Sequence, residues 1–297
     1  MTVRPVFVAP VSFGLGDLVV SLPVVQALVA RGEPTWLVAR SASQRRLAER
    51  IDGLAGCVDE DAFDPRRCGG SVVDLRDHPL QRDHWWGSRE FEAAFGPLTI
   101  NEILARIGAD LGVDADFSHP VPLRANRRRD LRDVVVVVTE TDGPAKLWPP
   151  GKWASLAALL DRDVRQVTRA GASPEMQATG IPEVCAPTPG DAVDVLSACR
   201  AVVGIDTGLT HVAVQQGTPT VTVCRHDSVY FRPWPHTRVL RGEVCTDECV
   251  AAEQARAYNE RVSLRDFEWT PWSCPSGGRC LDATRPEQVM ELLGELL

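Results

Sequence analysis

Five consecutive valines at 134–138 constrain this chain more than any other feature. β-Branched side chains favour extended backbone, and an uninterrupted apolar run suits a strand covered on both faces. Such strands belong to parallel sheets, whose neighbours are joined by crossover helices. The rest of the chain supplies that alternation. Apolar runs at 6–9, 35–39, 71–75, 164–167, 201–205 and 219–223 read as strands, and stretches at 18–30, 41–50, 100–107, 153–160, 191–199, from 207, and 285–297 read as helices. The class predicted is α/β with parallel sheets. A polar break at 119–129 divides the chain into an N-terminal domain, 1–125, and a C-terminal domain, 130–297, the latter with a cysteine-containing loop at 243–284 and a final amphipathic helix. Two similar α/β halves joined by a linker imply a cleft between them, where a ligand binds.

Composition narrows the function. With 32 basic and 40 acidic residues among 297, the net charge is −8, which argues against a nucleic-acid partner. The basic run at 124–129 reads as a solvated linker. No run of about 18 apolar residues offers a transmembrane helix, and the start is too quickly broken for a secretory signal, so a cytoplasmic location is expected. All basic residues but two are arginine; the two lysines are Lys146 and Lys152. In a chain so biased, a lysine hints at a place where arginine does not serve.

Three segments carry candidate chemistry. Gly14-Leu15-Gly16-Asp17 follows the first strand and opens a helix; its glycines permit close backbone approach and the helix start favours anions. It lacks the third glycine of a dinucleotide fingerprint. Asp17 is either a helix cap or a carboxylate facing the cleft, able to take a proton from a hydroxyl. Lys146, beyond the valine strand in Lys146-Leu-Trp148-Pro-Pro-Gly-Lys152-Trp153, suits a diphosphate as a mobile point charge or is a solvated loop lysine. In Asp206-Thr207-Gly208-Leu-Thr210-His211 a strand gives way to a helix whose free amides point into the cleft, with His211 one turn along. The alternative makes Asp206 a cap and His211 a core residue.

In this order and spacing the segments resemble glycosyltransferase family 9, the ADP-heptose-using heptosyltransferases of lipopolysaccharide cores. The resemblance rests on G-x-G-D, K-x-W-P-x-x-x-W at 146–153, D-T-G-x-x-H-x-A followed by G-T-P at 206–219, and an ending at 274–290 with C-x5-C-L and P-E-x-V. It includes an apolar S-L-P segment read as a helix start. It implies a GT-B fold of two Rossmann-like domains with parallel sheets facing a central cleft, and inverting transfer of a heptose or related sugar from an ADP-sugar to an acceptor hydroxyl without a catalytic cofactor. Carried over, Asp17 is the general base, with Gly14 and Gly16 in the acceptor-side loop. Lys146, Thr207, Gly208 and His211 neutralise the leaving diphosphate, Asp206 orients the sugar or its contacts, and Glu175 lies near the ribose. A nucleotide-sugar epimerase or hydrolase of the same fold, or an inactive nucleotide-binding member, is the alternative. The chain departs from the family at Cys224-Arg225-His226-Asp227-Ser228, where Arg225 and His226 are candidates to hold phosphate or sugar.

Nine cysteines without a secretion signal do not indicate a disulfide framework. Cys245, Cys249, Cys274 and Cys280 either hold a structural zinc or iron ion as a closed thiolate site or stand as reduced thiols. Asp59-Glu60-Asp61 and Asp161-Arg162-Asp163 match D-x-D, a metal-diphosphate element of another glycosyltransferase fold; neither follows an expected strand, and both are set aside.

Overall fold

The computed structural model describes residues 4–84, 86, 89–126, 128–141, 146–225, 231, 234–242 and 279–297. The N-terminal half runs β1 (Val6–Ala9), α1 (Leu15–Ala30), β2 (Thr35–Ala39), α2 (Ala42–Ala48), β3 (Gly56–Asp59), β4 (Ser71–Asp74), α3 (Pro79–Arg82), α4 (Arg89–Phe95) and α5 (Ile100–Asp110). The C-terminal half runs β5 (Val135–Val138), α6 (Pro150–Leu159), β6 (Val164–Thr168), α7 (Pro174–Gln177), β7 (Glu183–Cys185), α8 (Pro189–Ala198), β8 (Ala201–Ile205), α9 (Gly208–Gln215), β9 (Thr220–Cys224), β10 (Thr237–Arg241) and α10 (Pro286–Gly294).

The valine strand sits inside its sheet as expected. Val136 and Val138 pack into one apolar layer, Val135 and Val137 into the other, the period-two alternation of a strand between two helical layers. The first sheet has the order β3-β2-β1-β4 and the second β7-β6-β5-β8-β9-β10, with parallel pairing throughout. Both start from their first strand and reverse direction beside it, between β1 and β4 and between β5 and β8. In doubly wound sheets, ligands bind outside the carboxyl ends of the strands at that reversal.

Three strands escaped the sequence reading: β3, β7 and β10. Each lies at a sheet edge and carries polar or small residues, as in Gly56-Cys-Val-Asp59 and Thr237-Arg-Val-Leu-Arg241, so its apolar signal is weak. β3 corrects one inference. Asp59 does end a strand, yet its carboxylate turns to Arg45, Nη1 to Oδ2 2.5 Å. A second correction concerns Ser21-Leu22-Pro23, which lies inside α1. The helix starts at Leu15 because Asp17 closes its first turn.

The two halves are knotted together at 124–126, so this segment is more than a solvated linker. Asp194 of α8 receives Arg50 of the N-terminal half through both oxygens, at 3.0 and 2.9 Å. Asn126 adds its backbone N–H at 2.7 Å and its side-chain amide at 2.9 Å. Nearby, Gln216 exchanges two hydrogen bonds with the backbone of Leu123. Where α1 meets α9, glycine is required on both sides: a Cβ on Gly16 would stand 2.8 Å from His211 Cδ2, and one on Gly208 would stand 3.0 Å from the Gly16 backbone nitrogen. The glycines of the two motifs thus let the N-termini of both helices converge on one place.

Candidate active site

That place is the floor of a cleft of about 2360 Å³ between the carboxyl ends of the two sheets. Asp17, Lys146, Glu175, Asp206, Thr207, Gly208 and His211 all line it, as do Gly14 and Gly16.

Asp17 both binds the start of its own helix and faces the cleft. Its Oδ2 reaches back from the first turn of α1 to accept the N-cap Gly14 N–H at 2.8 Å, while the side chain borders the cleft. Its loop is held from behind by the buried Gln44, whose amide donates to the carbonyls of Ser12 and Gly14 at 2.8 and 2.9 Å. Burial pushes the Asp17 carboxyl up to about 6, against the Gly14 N–H and the Lys146 ammonium, which favour the ionised form.

Opposite, Lys146 Nζ lies 2.6 Å from Asp206 Oδ2, and His211 Nε2 lies 3.9 Å from Asp206 Oδ1. Burial works against the Asp206 carboxylate, but Lys146 and His211 outweigh it and hold its pKa below the ordinary value. Asp206 thus acts as an anchor for the lysine. Thr207 is the N-cap of α9 without spending its hydroxyl on a cap bond, so the first turn presents amides and a hydroxyl together. His211 is buried and stacks on Phe231, ring centroids 4.5 Å apart and planes 2° from parallel. Thr210 donates to the Ile205 carbonyl at 2.6 Å; a Cβ on Gly204 would strike its hydroxyl at 2.3 Å, so glycine there lets α9 seat on β8. Glu175 stands exposed in the first turn of α7.

The second lysine has another task. Lys152 Nζ donates to the carbonyls of Leu281, Asp282 and Thr284 at 2.7, 2.6 and 2.6 Å. Trp148 Nε1 donates to Thr284 Oγ1 at 2.8 Å, and Trp148 packs edge-on against Trp153. Within 146–153, Lys146, Leu147, Trp148 and Pro150 line the cleft, while Lys152 and the Trp148 indole N–H fasten the chain before α10 to α6.

The sequence reading missed a charged group on the N-terminal wall. Arg40 follows β2, Glu60 follows β3, Asp74 ends β4 and Arg76 lies just beyond, all lining the cleft. Arg76 grips Asp74 with two bonds, Nε to Oδ1 2.8 Å and Nη2 to Oδ2 2.6 Å, and also pairs with Glu60. Arg40 Nε reaches Glu60 Oε2 at 2.7 Å. Burial raises the Asp74 carboxyl to about 6. The available signal was position at a strand's carboxyl end, obscured where β3 itself was not recognised. Arg225, singled out at the family departure, follows β9 and is buried against the cleft; His226, Asp227 and Ser228 lie outside the described residues. So do Cys245, Cys249 and Cys274, while Cys280 is buried. Among the described residues no group of three or more His, Cys, Asp or Glu is placed to hold a metal ion, and no helix is long and apolar enough to cross a membrane.

Residues 111–257 match the model of glycosyltransferase family 9 (heptosyltransferase). The chain carries a glycosyltransferase family 9 domain. No curated protein matches the sequence. Among solved structures, a family 9 glycosyl transferase from Veillonella parvula is similar with a TM-score of 0.65 at 15% identity, covering 98% of this chain and 97% of that one. The iron-containing dodecameric glycosyltransferase TibC from enterotoxigenic E. coli gives 0.64 at 15%, covering 99% and 76%. E. coli ADP-heptose lps heptosyltransferase II gives 0.59 at 19%, covering 99% and 98%. At these identities the likeness is one of fold, and this glycosyltransferase shares with them the GT-B arrangement of two sheets about one cleft.

Proposed function

We propose that this family 9 glycosyltransferase moves a heptose or related sugar from an ADP-sugar to an acceptor hydroxyl, with inversion. Asp17 takes the acceptor proton as the hydroxyl oxygen attacks the anomeric carbon. The bond from that carbon to the phosphate oxygen breaks, and its electron pair leaves with the diphosphate. A single in-line displacement inverts the anomeric centre. Lys146, the first-turn amides of α9, Thr207 and His211 stabilise the departing charge, Arg225 adds a cation, Asp206 holds Lys146 in place, and Glu175 stands at the ribose. A preorganised cation and free amides are effective because they need no rearrangement as charge develops. A zinc or iron ion on Cys245, Cys249, Cys274 and Cys280 would be structural, since four thiolates close a tetrahedral site; no step passes through it.

One observation carries this reading: a carboxylate with a pKa of about 6 stands on one wall against a lysine and a helix N-terminus on the other. A base of that pKa is mostly ionised at neutral pH and still accepts a proton. The name of E. coli heptosyltransferase II, an enzyme of similar fold, supports the ADP-heptose choice. The test pairs transfer assays with ADP calorimetry. Asp17→Asn is expected to abolish transfer and keep ADP binding, and Lys146→Ala to weaken ADP binding about tenfold or more, as loss of a charged hydrogen bond does. Unchanged turnover in Asp17→Asn overturns the base; unchanged ADP affinity in Lys146→Ala overturns the donor site.

A further inference from the structure

The segment that carries Asp17 into the cleft belongs to no hydrogen-bonded ladder of its own. β1 ends at Ala9 and α1 begins at Leu15, so the backbone groups between them must find partners elsewhere. Three side chains supply them. Ser21 Oγ accepts the Val11 N–H at 3.4 Å and donates to the Asp17 carbonyl at 2.7 Å. Gln81 Nε2 donates to the Val11 carbonyl at 2.8 Å. Gln44 Nε2 donates to the carbonyls of Ser12 and Gly14 at 2.8 and 2.9 Å. Of the three, Gln44 alone bonds Gly14, the residue whose N–H holds the Asp17 carboxylate. Gly14 has to be glycine, since a Cβ there would stand 2.7 Å from Asp17 Oδ2, and a glycine pair leaves the backbone free unless something outside the loop fixes it.

Gln44 suits that task. It is fully buried on α2 and lies outside the lining of the cleft. The two N–H groups of its planar amide diverge, so one rigid group spans two carbonyls of a single bend. Its own place is set at both ends of the side chain. Its backbone N–H donates to the N-cap Ser41 Oγ at 3.3 Å, and its Oε1 accepts the Arg40 backbone N–H at 3.0 Å, a variant of the capping box that Ser41-x-x-Gln44 spells in sequence. The same amide therefore ties the Asp17 loop to the start of Arg40, whose guanidinium lines the cleft. We propose that Gln44 is the positioning residue of the base: it touches no substrate, and by fixing the peptide of Gly14 it sets where the Asp17 carboxylate stands. The inference rests on Asp17 being the base.

The test titrates Asp17 in the full chain by 13C NMR of labelled aspartate carboxyls, its signal assigned by its loss in Asp17→Asn. Gln44→Met keeps the length of the side chain and removes all three bonds. In that variant water is expected to enter the loosened loop, so that Asp17 titrates at least one pH unit below its wild-type value of about 6. The rate of ADP release from saturating ADP-heptose should fall tenfold or more, with ADP affinity by calorimetry within twofold of wild type. Leu28→Ala, a cavity at the other end of α1, destabilises the fold away from the loop and should leave titration and rate as in the wild type. If Gln44→Met does not fold, Gln44→Asn, whose amide is one methylene too short for both carbonyls, is read in its place. An unmoved Asp17 titration, an unchanged rate, or the same shift in Leu28→Ala overturns the proposal. Full turnover in Asp17→Asn, or no ADP release by the wild type, strikes the reading of the site instead and leaves the titration to decide whether Gln44 sets the carboxylate.

Discussion

Asp17 binds the start of its helix while buried at the cleft, and the cost of burying its charge is measurable. The folded chain holds the Asp17 proton with a pKa of about 6 against an ordinary 3.8, because burial disfavours the charge. The native state therefore binds more protons than the unfolded state between about pH 4 and 6. Stability falls as pH rises through that window, and the loss persists above it. Asparagine keeps an oxygen for the Gly14 N–H and has no charge to bury. Asp17→Asn should be more stable than the wild type at pH 7.5, by about 1–3 kcal/mol, and gain little at pH 4. Thermal unfolding at the two pH values checks this, and an equal difference at both would refute it. In the wild type, kcat/KM should fall about tenfold per pH unit below about 6, as the base becomes protonated; a flat profile from pH 5 to 7 would contradict it. The rare lysines show how far one residue type is legible. Their retention in an arginine-rich chain hinted at special use, yet Lys146 holds a carboxylate in the cleft and Lys152 three carbonyls outside it.

At the scale of elements, the strands buried along their whole length announced themselves most plainly, and β4, mostly exposed, was legible through its paired valines. β5, β8 and β9 are buried along their whole length and read as unbroken apolar runs. β3 shows half-buried residues throughout and β10 mostly so; with one face or edge open, the alternation that marks a strand gives way to polar residues. Docking between elements was less visible still. Lys152 ties α6 to the turn before α10 through a compact ammonium that satisfies three converging carbonyls, which a planar guanidinium cannot match. Lys152→Ala should cost about 1–3 kcal/mol, and Lys152→Arg should not restore it. Hydrogen exchange over 279–297 reads this out, with faster exchange in both variants; protection equal to wild type would show that the three bonds do not hold the turn.

For the whole molecule, the decisive contact is Asp194, which takes four hydrogen bonds from Arg50 and Asn126. Removing one partner of a buried pair strands the other. Asp194→Ala should destabilise by about 3–5 kcal/mol and loosen the halves, so that calorimetry shows two unfolding transitions; a single transition at the wild-type midpoint would refute it. Seven of the ten described strands, their alternation with helices and the three motifs were legible because they depend on neighbours in sequence: β-branching, glycine spacing, a carboxylate three positions on from the N-cap. Pairing of charges was not. Arg76 meets Glu60 across 16 residues, Arg40 meets Glu60 across 20, and Arg50 meets Asp194 across 144, and nothing local distinguishes a carboxylate that neutralises an arginine from one that faces a ligand. Local chemistry therefore determined that two parallel sheets form and where the loops that line the cleft fall. Only the packing of α1 against α9, which brings Gly16 to Gly208 and turns both sheets toward one cleft, decided which charges cancel and which remain for substrate, since Coulomb forces act through space and along no particular path of the chain.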